Sequence, residues 1–209
     1  PNASGNSLIT IRVSDGLLTS AGQSFLLTVT AVNDAPAIST IPDQMTNEDT
    51  PVTAIPFTVT DVDGPAQICN STSLSYTSSN TSVVAASGAV VWGGTWPQCT
   101  ATITPVPNAF GNVSITINAS DSMATGSSQP FILTVQPVND APSLPALAAV
   151  TINEDTPTNP INLTVTDIDG PAQTCNDTFL SYTSSLTGVV ASSGGVSWSG
   201  TWPNCKATI

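Results

Sequence analysis

The feature that most limits what this chain can fold into is that it matches itself, without a gap, when shifted by 106 residues. "TVTDVDGPAQIC", ending at Cys69, returns as "TVTDIDGPAQTC", ending at Cys175. "TNEDTP" at 46–51 returns as "INEDTP" at 152–157, and "WGGTWPQCTATI" returns as "WSGTWPNCKATI". The opening "PNASGNSLITIRVSD" matches "PNAFGNVSITINASD" at 107–121. A period of this length is one domain in a tandem array. If a unit starts after the phrase "NDAP", residues 1–36 are the C-terminal strands of a partial repeat. Residues 37–142 are then a complete repeat, and 143–209 are the N-terminal strands of a further partial one. The two partial pieces together fall three residues short of a whole repeat. Two origins stay open: a slice of a longer array, or a head that completes the tail of the next copy by strand complementation. Either way neither piece can bury a sheet by itself.

Within the repeat every periodic segment reads as strand. "NVSITINAS" and "PFILTVQPV" alternate apolar and polar residues, with many β-branched side chains. "PVTAIPFTVTD", "TSLSYTSS" and "SGAVVWGG" are further short strands between Gly, Pro, Asn and Asp. Pro51, Pro56, Pro105 and Pro107 would break a helix and suit edges, bulges or strand starts. About seven strands in such a repeat predict an all-β chain of tandem seven-stranded Greek-key, immunoglobulin-like sandwiches. Phe57 and Tyr76, on strands, are expected in the core.

Charge narrows the partners. There are 14 acidic residues against Arg12 and Lys206, a net charge of -12. Such a surface repels nucleic acid and anionic lipid and attracts cations. No apolar run is long enough to span a bilayer, and the first residues lack the basic start and apolar core of a signal peptide. Cys69, Cys99, Cys175 and Cys205 form an even, matched set that favours disulfides and an oxidising compartment, secreted or at the cell surface. Pairing within each repeat, Cys69 with Cys99 and Cys175 with Cys205, is preferred. Pairing across repeats is possible on paper but would terminate awkwardly in a repeated chain.

The acidic residues collect at the joints between repeats. With strands lettered A to G, Asp61 and Asp63 fall in the B–C loop and Asp121 in the F–G loop, below the linker residues Asn33 and Asp34. Glu48 and Asp49 lie in the A–B loop and face the next linker, with Asn139 and Asp140, followed by Asp167 and Asp169. Crowded carboxylates without local Lys or Arg call for a hard divalent ion, and Ca²⁺, with six to eight oxygen ligands, fits better than Mg²⁺. One Asp-x-Asp-Gly motif alone reads equally as a solvated Asx turn. It is no EF-hand, because the later acidic ligands and helical flanks are missing. Pro36 and Pro142 restrict the chain as it leaves each acidic linker.

Catalysis has little to work with. There is no His, which excludes Ser-His-Asp and Cys-His arrangements, and no Gly-rich phosphate loop. The chain is therefore expected not to be an enzyme. Trp92 and Trp96 recur as Trp198 and Trp202 and have two readings. They pack beside the disulfide, or, set in a loop-like "WGGTWP" context, they expose a ring that stacks on glycan or on a partner protein. Sequons begin at Asn2, Asn70, Asn80, Asn112, Asn118, Asn162 and Asn176, and glycosylation of a secreted fibre would fit them.

The phrases "VNDAP" at 32–36 and 138–142, "NEDT" at 47–50 and 153–156, and "TDVDG" and "TDIDG" at 60–64 and 166–170 carry a resemblance. The whole chain resembles the cadherin-like tandem repeats of large secreted bacterial adhesins. The resemblance implies sandwiches joined end to end and held rigid by calcium. It maps the B–C aspartates to Asp61, Asp63, Asp167 and Asp169, and the linker ligands to Asn33, Asp34, Asn139 and Asp140. It maps the A–B glutamate to Glu48, copied as Glu154, and the F–G aspartate to Asp121, copied as Asp15. Two departures, a less acidic linker and neutral "PNAFGN" in place of the E–F acidic motif, imply fewer ions per joint. The regular cysteine pair is an addition to that pattern. The implied function is a calcium-stiffened stalk or fibre whose partners are neighbouring copies of the repeat. An adhesin module that binds glycan is the alternative.

Overall fold

Alternation of apolar and polar residues sets the strands of the complete repeat, and the computed structural model describes residues 2–65, 67–128 and 130–209. Two compact units are present, Pro1–Pro137 and Val138–Ile209. The first holds β1 (Gly5–Ile11), β2 (Gln23–Val29), β3 (Ala37–Ile38), β4 (Gln44–Asn47), β5 (Val52–Thr60) and β6 (Leu74–Ser78). It continues with β7 (Val90–Thr95), β8 (Gln98–Ile103), β9 (Gly111–Ser120), β10 (Thr125–Ser127) and β11 (Phe131–Gln136). The second holds β12 (Ile161–Thr164), β13 (Ser197–Thr201) and β14 (Asn204–Thr208). The chain is all-β, and no helix among the described residues is long and apolar enough to cross a membrane.

In the complete repeat one sheet runs β3-β5-β8-β7. The other places β11 between β4 and β9, with β6 on the far side of β9 and β10 continuing the edge that β11 occupies. The pairing of β4 with β11 is parallel, and the other pairings are antiparallel. Inward-facing residues of both sheets form one core: Ile55, Phe57 and Val59 from β5 meet Val113, Ile115 and Ile117 from β9 and Leu133 from β11. Tyr76 is half-buried against that core, and its hydroxyl donates to the Ala85 carbonyl at 2.7 Å.

Pro56 sits inside β5 without breaking it. The Val59 N–H points to the β8 side, donating to the Pro97 carbonyl, whereas the Thr58 N–H donates to Ser39 Oγ on the β3 side. Pro56 shares the parity of Thr58, and β3 pairs only as far as Val59, so its missing N–H costs no bond with β8. A bulge at Thr53–Ala54 shifts the register earlier in the strand, with Ala54 at φ 53.

The disulfides are Cys69–Cys99 and Cys175–Cys205, each within its own repeat. The segment before Cys69 pairs with the end of β7: Trp96 N–H donates to the Gln67 carbonyl at 2.8 Å and Cys69 N–H to the Gly94 carbonyl at 3.1 Å. Gly94 is required there, because its φ is +93 and a Cβ would overlap the Gln98 carbonyl. In the second unit the sheet order is β12-β14-β13, in the register of β5, β8 and β7, and the same bonds recur at Trp202 and Cys175.

Candidate cation-binding junction

The linker between β2 and β3 is held by two loops of the complete repeat. The Asn33 amide donates from Nδ2 to Asp121 Oδ2 at 2.8 Å and to the Asp34 carbonyl at 3.0 Å. The Asp34 backbone N–H donates to Asp63 Oδ2 at 2.7 Å. Pro36 is buried, and its carbonyl lies against Gly126 of β10 so closely that any Cβ there would overlap it. Ala37 then pairs with Thr60, at the end of β5. The linker is therefore stitched to the domain it enters through the turn after β5, the turn after β9 and the β10 edge.

The two oxygens of Asp61 and of Asp121 stand in different settings. Asp61 Oδ1 accepts from the backbone of Asp63 at 3.0 Å and Gly64 at 3.2 Å, an Asx turn. Its Oδ2 is shielded from solvent and accepts no hydrogen bond from the described residues. Asp121 Oδ1 accepts from Met123 and Ala124, both at 2.7 Å, leaving Oδ2 for Asn33. The Ala124 N–H first, then the Asn33 side chain and the Met123 N–H, hold the Asp121 carboxyl below its ordinary value of 3.8. Asp15, its copy, is lowered in the same way by the N–H groups of Leu18 and Leu17.

The second unit carries the same pieces. Asp140 N–H donates to Asp169 Oδ2 at 2.6 Å, and Asn139 Nδ2 donates to the Asp140 carbonyl at 2.8 Å. Asp167 Oδ1 accepts from Asp169 and Gly170, both at 3.2 Å. Glu48 and Asp49 lie elsewhere, at the end of the complete repeat where β4 and β11 finish and β9 begins. Glu48 is buried, with its N–H on the Gln136 carbonyl at 2.9 Å, and Asp49 Oδ1 accepts from the Asn108 N–H at 2.9 Å. Its copy Glu154 is exposed.

Among the described residues no three Asp, Glu, Cys or His side chains are gathered into a ready metal site. The side chains that the linker and its two turns bring to it offer oxygen donors: Asp121 beside Asn33, Asp63 at the Asp34 N–H, and Asp61 in the turn that carries Asp63. A hard ion fits that chemistry, and Asp61 Oδ2, a desolvated carboxylate oxygen that accepts no hydrogen bond from the described residues, is the atom that most needs one.

The tryptophans lie differently from the loop setting that the glycines suggested. Trp92 is within β7 and makes edge contacts with Phe57 and Tyr76 at centroid distances of 6.3 and 6.4 Å. Trp96 is buried in the turn between β7 and β8. Trp198 donates from Nε1 to Asp177 Oδ1 at 2.8 Å, and Trp202 is half-buried with an edge contact to Phe179 at 6.4 Å. Asn2, Asn70, Asn80, Asn112, Asn162 and Asn176 are exposed, whereas Asn118 is half-buried in β9. Sequence reasoning missed Gly126 and Asp43, whose Oδ1 accepts from the Ile132 N–H at 2.7 Å. The copy of Gly126 is Ser20, so the repeat gave no sign of it.

No protein-family model matches the chain, and no curated protein is found to be similar to it.

Proposed function

We propose that this chain is a non-enzymatic structural segment of an extracellular stalk or fibre. Its repeats are read as seven-stranded Greek-key sandwiches of the immunoglobulin and cadherin type, joined by linkers that Ca²⁺ stiffens. The observation that carries this reading is the docking of Asn33 and Asp34 onto Asp121 and Asp63, with Asp61 Oδ2 buried in the turn that carries Asp63. Asp61, Asp63, Asp121, Asn33 and Asp34 would hold the ion. Its charge would offset the mutual repulsion of carboxylates that only Arg12 and Lys206, in the whole chain, could otherwise counter. Intra-repeat disulfides fit an oxidising compartment. The absence of any His from the sequence favours a mechanical role over a catalytic one.

Glycan recognition through the tryptophans has weaker support, since Trp96 is buried and Trp92 is engaged by two core aromatics. Calorimetric titration tests the leading reading. Ca²⁺ should bind with a dissociation constant on the order of 0.1–1 mM, as extracellular modules do. The double variant Asp61→Asn/Asp63→Asn should lose the sites of the first unit while keeping those of the second. Absence of binding at several millimolar Ca²⁺, or an unaltered isotherm in the variant, would remove the basis for the proposal.

A further inference from the structure

The complete repeat has chain on both sides, residues 1–36 before it and 138–209 after it, so a stalk under tension loads it from its two linkers. β4 lies towards the entry and β11 at the exit. Theirs is the one parallel pairing among the described residues, with Gln44 opposite Leu133 and Asn47 opposite Gln136. Tension draws β4 towards its start and β11 towards its end, so the two strands must slide lengthwise past each other. The ladder bonds lie across that motion and resist it together, whereas strands pulled apart sideways lose them one at a time.

Two bonds outside the ladder lengthen the contact. Asp43 Oδ1 accepts from the Ile132 N–H at 2.7 Å at its head, and the Glu48 N–H donates to the Gln136 carbonyl at 2.9 Å at its foot. Since the Glu48 N–H faces β11, Thr46, of the same parity, turns its N–H to β11 as well, and Met45 turns its N–H away. The Cys69–Cys99 bridge adds a second property. It encloses β6 and β7, which pair in different sheets, and it keeps the chain between its cysteines out of the load path after the strands part. Residues 37–136 reach at most about 330–360 Å when extended, and the bridge withholds about 100–110 Å of that.

We propose that the complete repeat is a force-bearing element, with β4 and β11 as its shear clamp and Cys69–Cys99 as the limit on how far it lengthens. The proposal deepens the stalk reading, on which it rests. Its test contains no free calcium, so its failure would leave the ion titration standing.

The test is force spectroscopy of the 209-residue chain in excess chelator, with handles on azide-bearing residues at exposed positions so that no thiol is added. Handles at 35 and 137 load the repeat along its natural path. Handles at 50 and 137 pull the feet of β4 and β11 apart and peel the ladder. The first geometry should need several-fold more force than the second at one loading rate. Failure along the natural path should lengthen the chain by about 230–250 Å less the folded span. A trialkylphosphine, which takes up oxygen from water as the disulfide becomes two thiols, should then release the remaining about 100–110 Å. Thr46→Pro should unfold about five- to tenfold faster at the same force, the effect of one lost hydrogen bond, and Met45→Pro less than about twofold faster. The comparison of geometries needs no change in the clamp, and it decides the matter should Thr46→Pro fail to fold. Equal force in the two geometries, full lengthening before the phosphine is added, or equal acceleration by the two prolines would each overturn the proposal.

Discussion

Replacing Cys69 and Cys99 with Ala opens a loop that the native bridge closes over a sequence separation of 30. In the chain-entropy account, closing that loop removes about 12 cal/mol/K from the unfolded ensemble, or about 3.6 kcal/mol at 25 °C. Both cysteines are core members, so each lost sulfur adds up to about 1 kcal/mol of missing contacts. The effect should stay within the complete repeat, because the second unit carries its own bridge, Cys175–Cys205. Native-state hydrogen exchange read by mass spectrometry is the suitable assay, since the chain has two units and a single melting curve would mix them. At about 1.4 kcal/mol per factor of ten, β8 amides that exchange through opening of the whole repeat should speed up by about 400-fold or more. Amides of β14 should be unaffected, and Cys175→Ala/Cys205→Ala should produce the reverse pattern. Acceleration of less than about tenfold in β8 would refute the reasoning, because the loop would then be constrained by something other than the bridge.

Two further outcomes follow from the burial and charge pattern. Phe131→Ala should destabilise the complete repeat by about 3–5 kcal/mol, whereas Phe25→Ala, at the same position in the other copy, should cost less than about 1 kcal/mol in dilute chemical denaturation. The Asp121 carboxyl is held below 3.8 in the folded chain, so its contribution is complete above that value and is lost as pH falls through the lowered folded value. The gap in urea midpoint between the native chain and Asp121→Asn should therefore be constant from neutral pH down to the ordinary carboxylate range and shrink below it. A gap that widens on acidification would show the sign to be wrong.

The repeat and the two-residue alternation made most strands legible. "NVSITINAS" became β9 and "PFILTVQPV" became β11 because a pleated surface with one buried face leaves an unmistakable alternation. The disulfide pairing was legible because the cysteines recur with the period. What could not be read depends on backbone geometry. Gly93 and Gly94 look like a loop, yet they lie in β7, where Gly94 admits the backbone of Gln98. The bulge at Ala54 leaves no compositional trace. At the junction, the acidic residues were legible as a group, but the division of labour within each carboxylate was not. One oxygen of Asp61 serves the turn and the other is buried, a distinction set by loop conformation alone. The separation of Glu48 from Asp61 within one repeat follows from strand direction, and it was visible once the strands were ordered.

The central claim concerns stiffness, and a distance distribution between the two units measures it most directly. Spin labels at Thr77→Cys and Ser199→Cys, both exposed and one on each unit, report the single distance between them in dilute chain. The account predicts a narrow distribution at millimolar Ca²⁺ that broadens with chelator and narrows again when the ion is restored. Equal breadth in both conditions, with calcium at several times any measured dissociation constant, would contradict it.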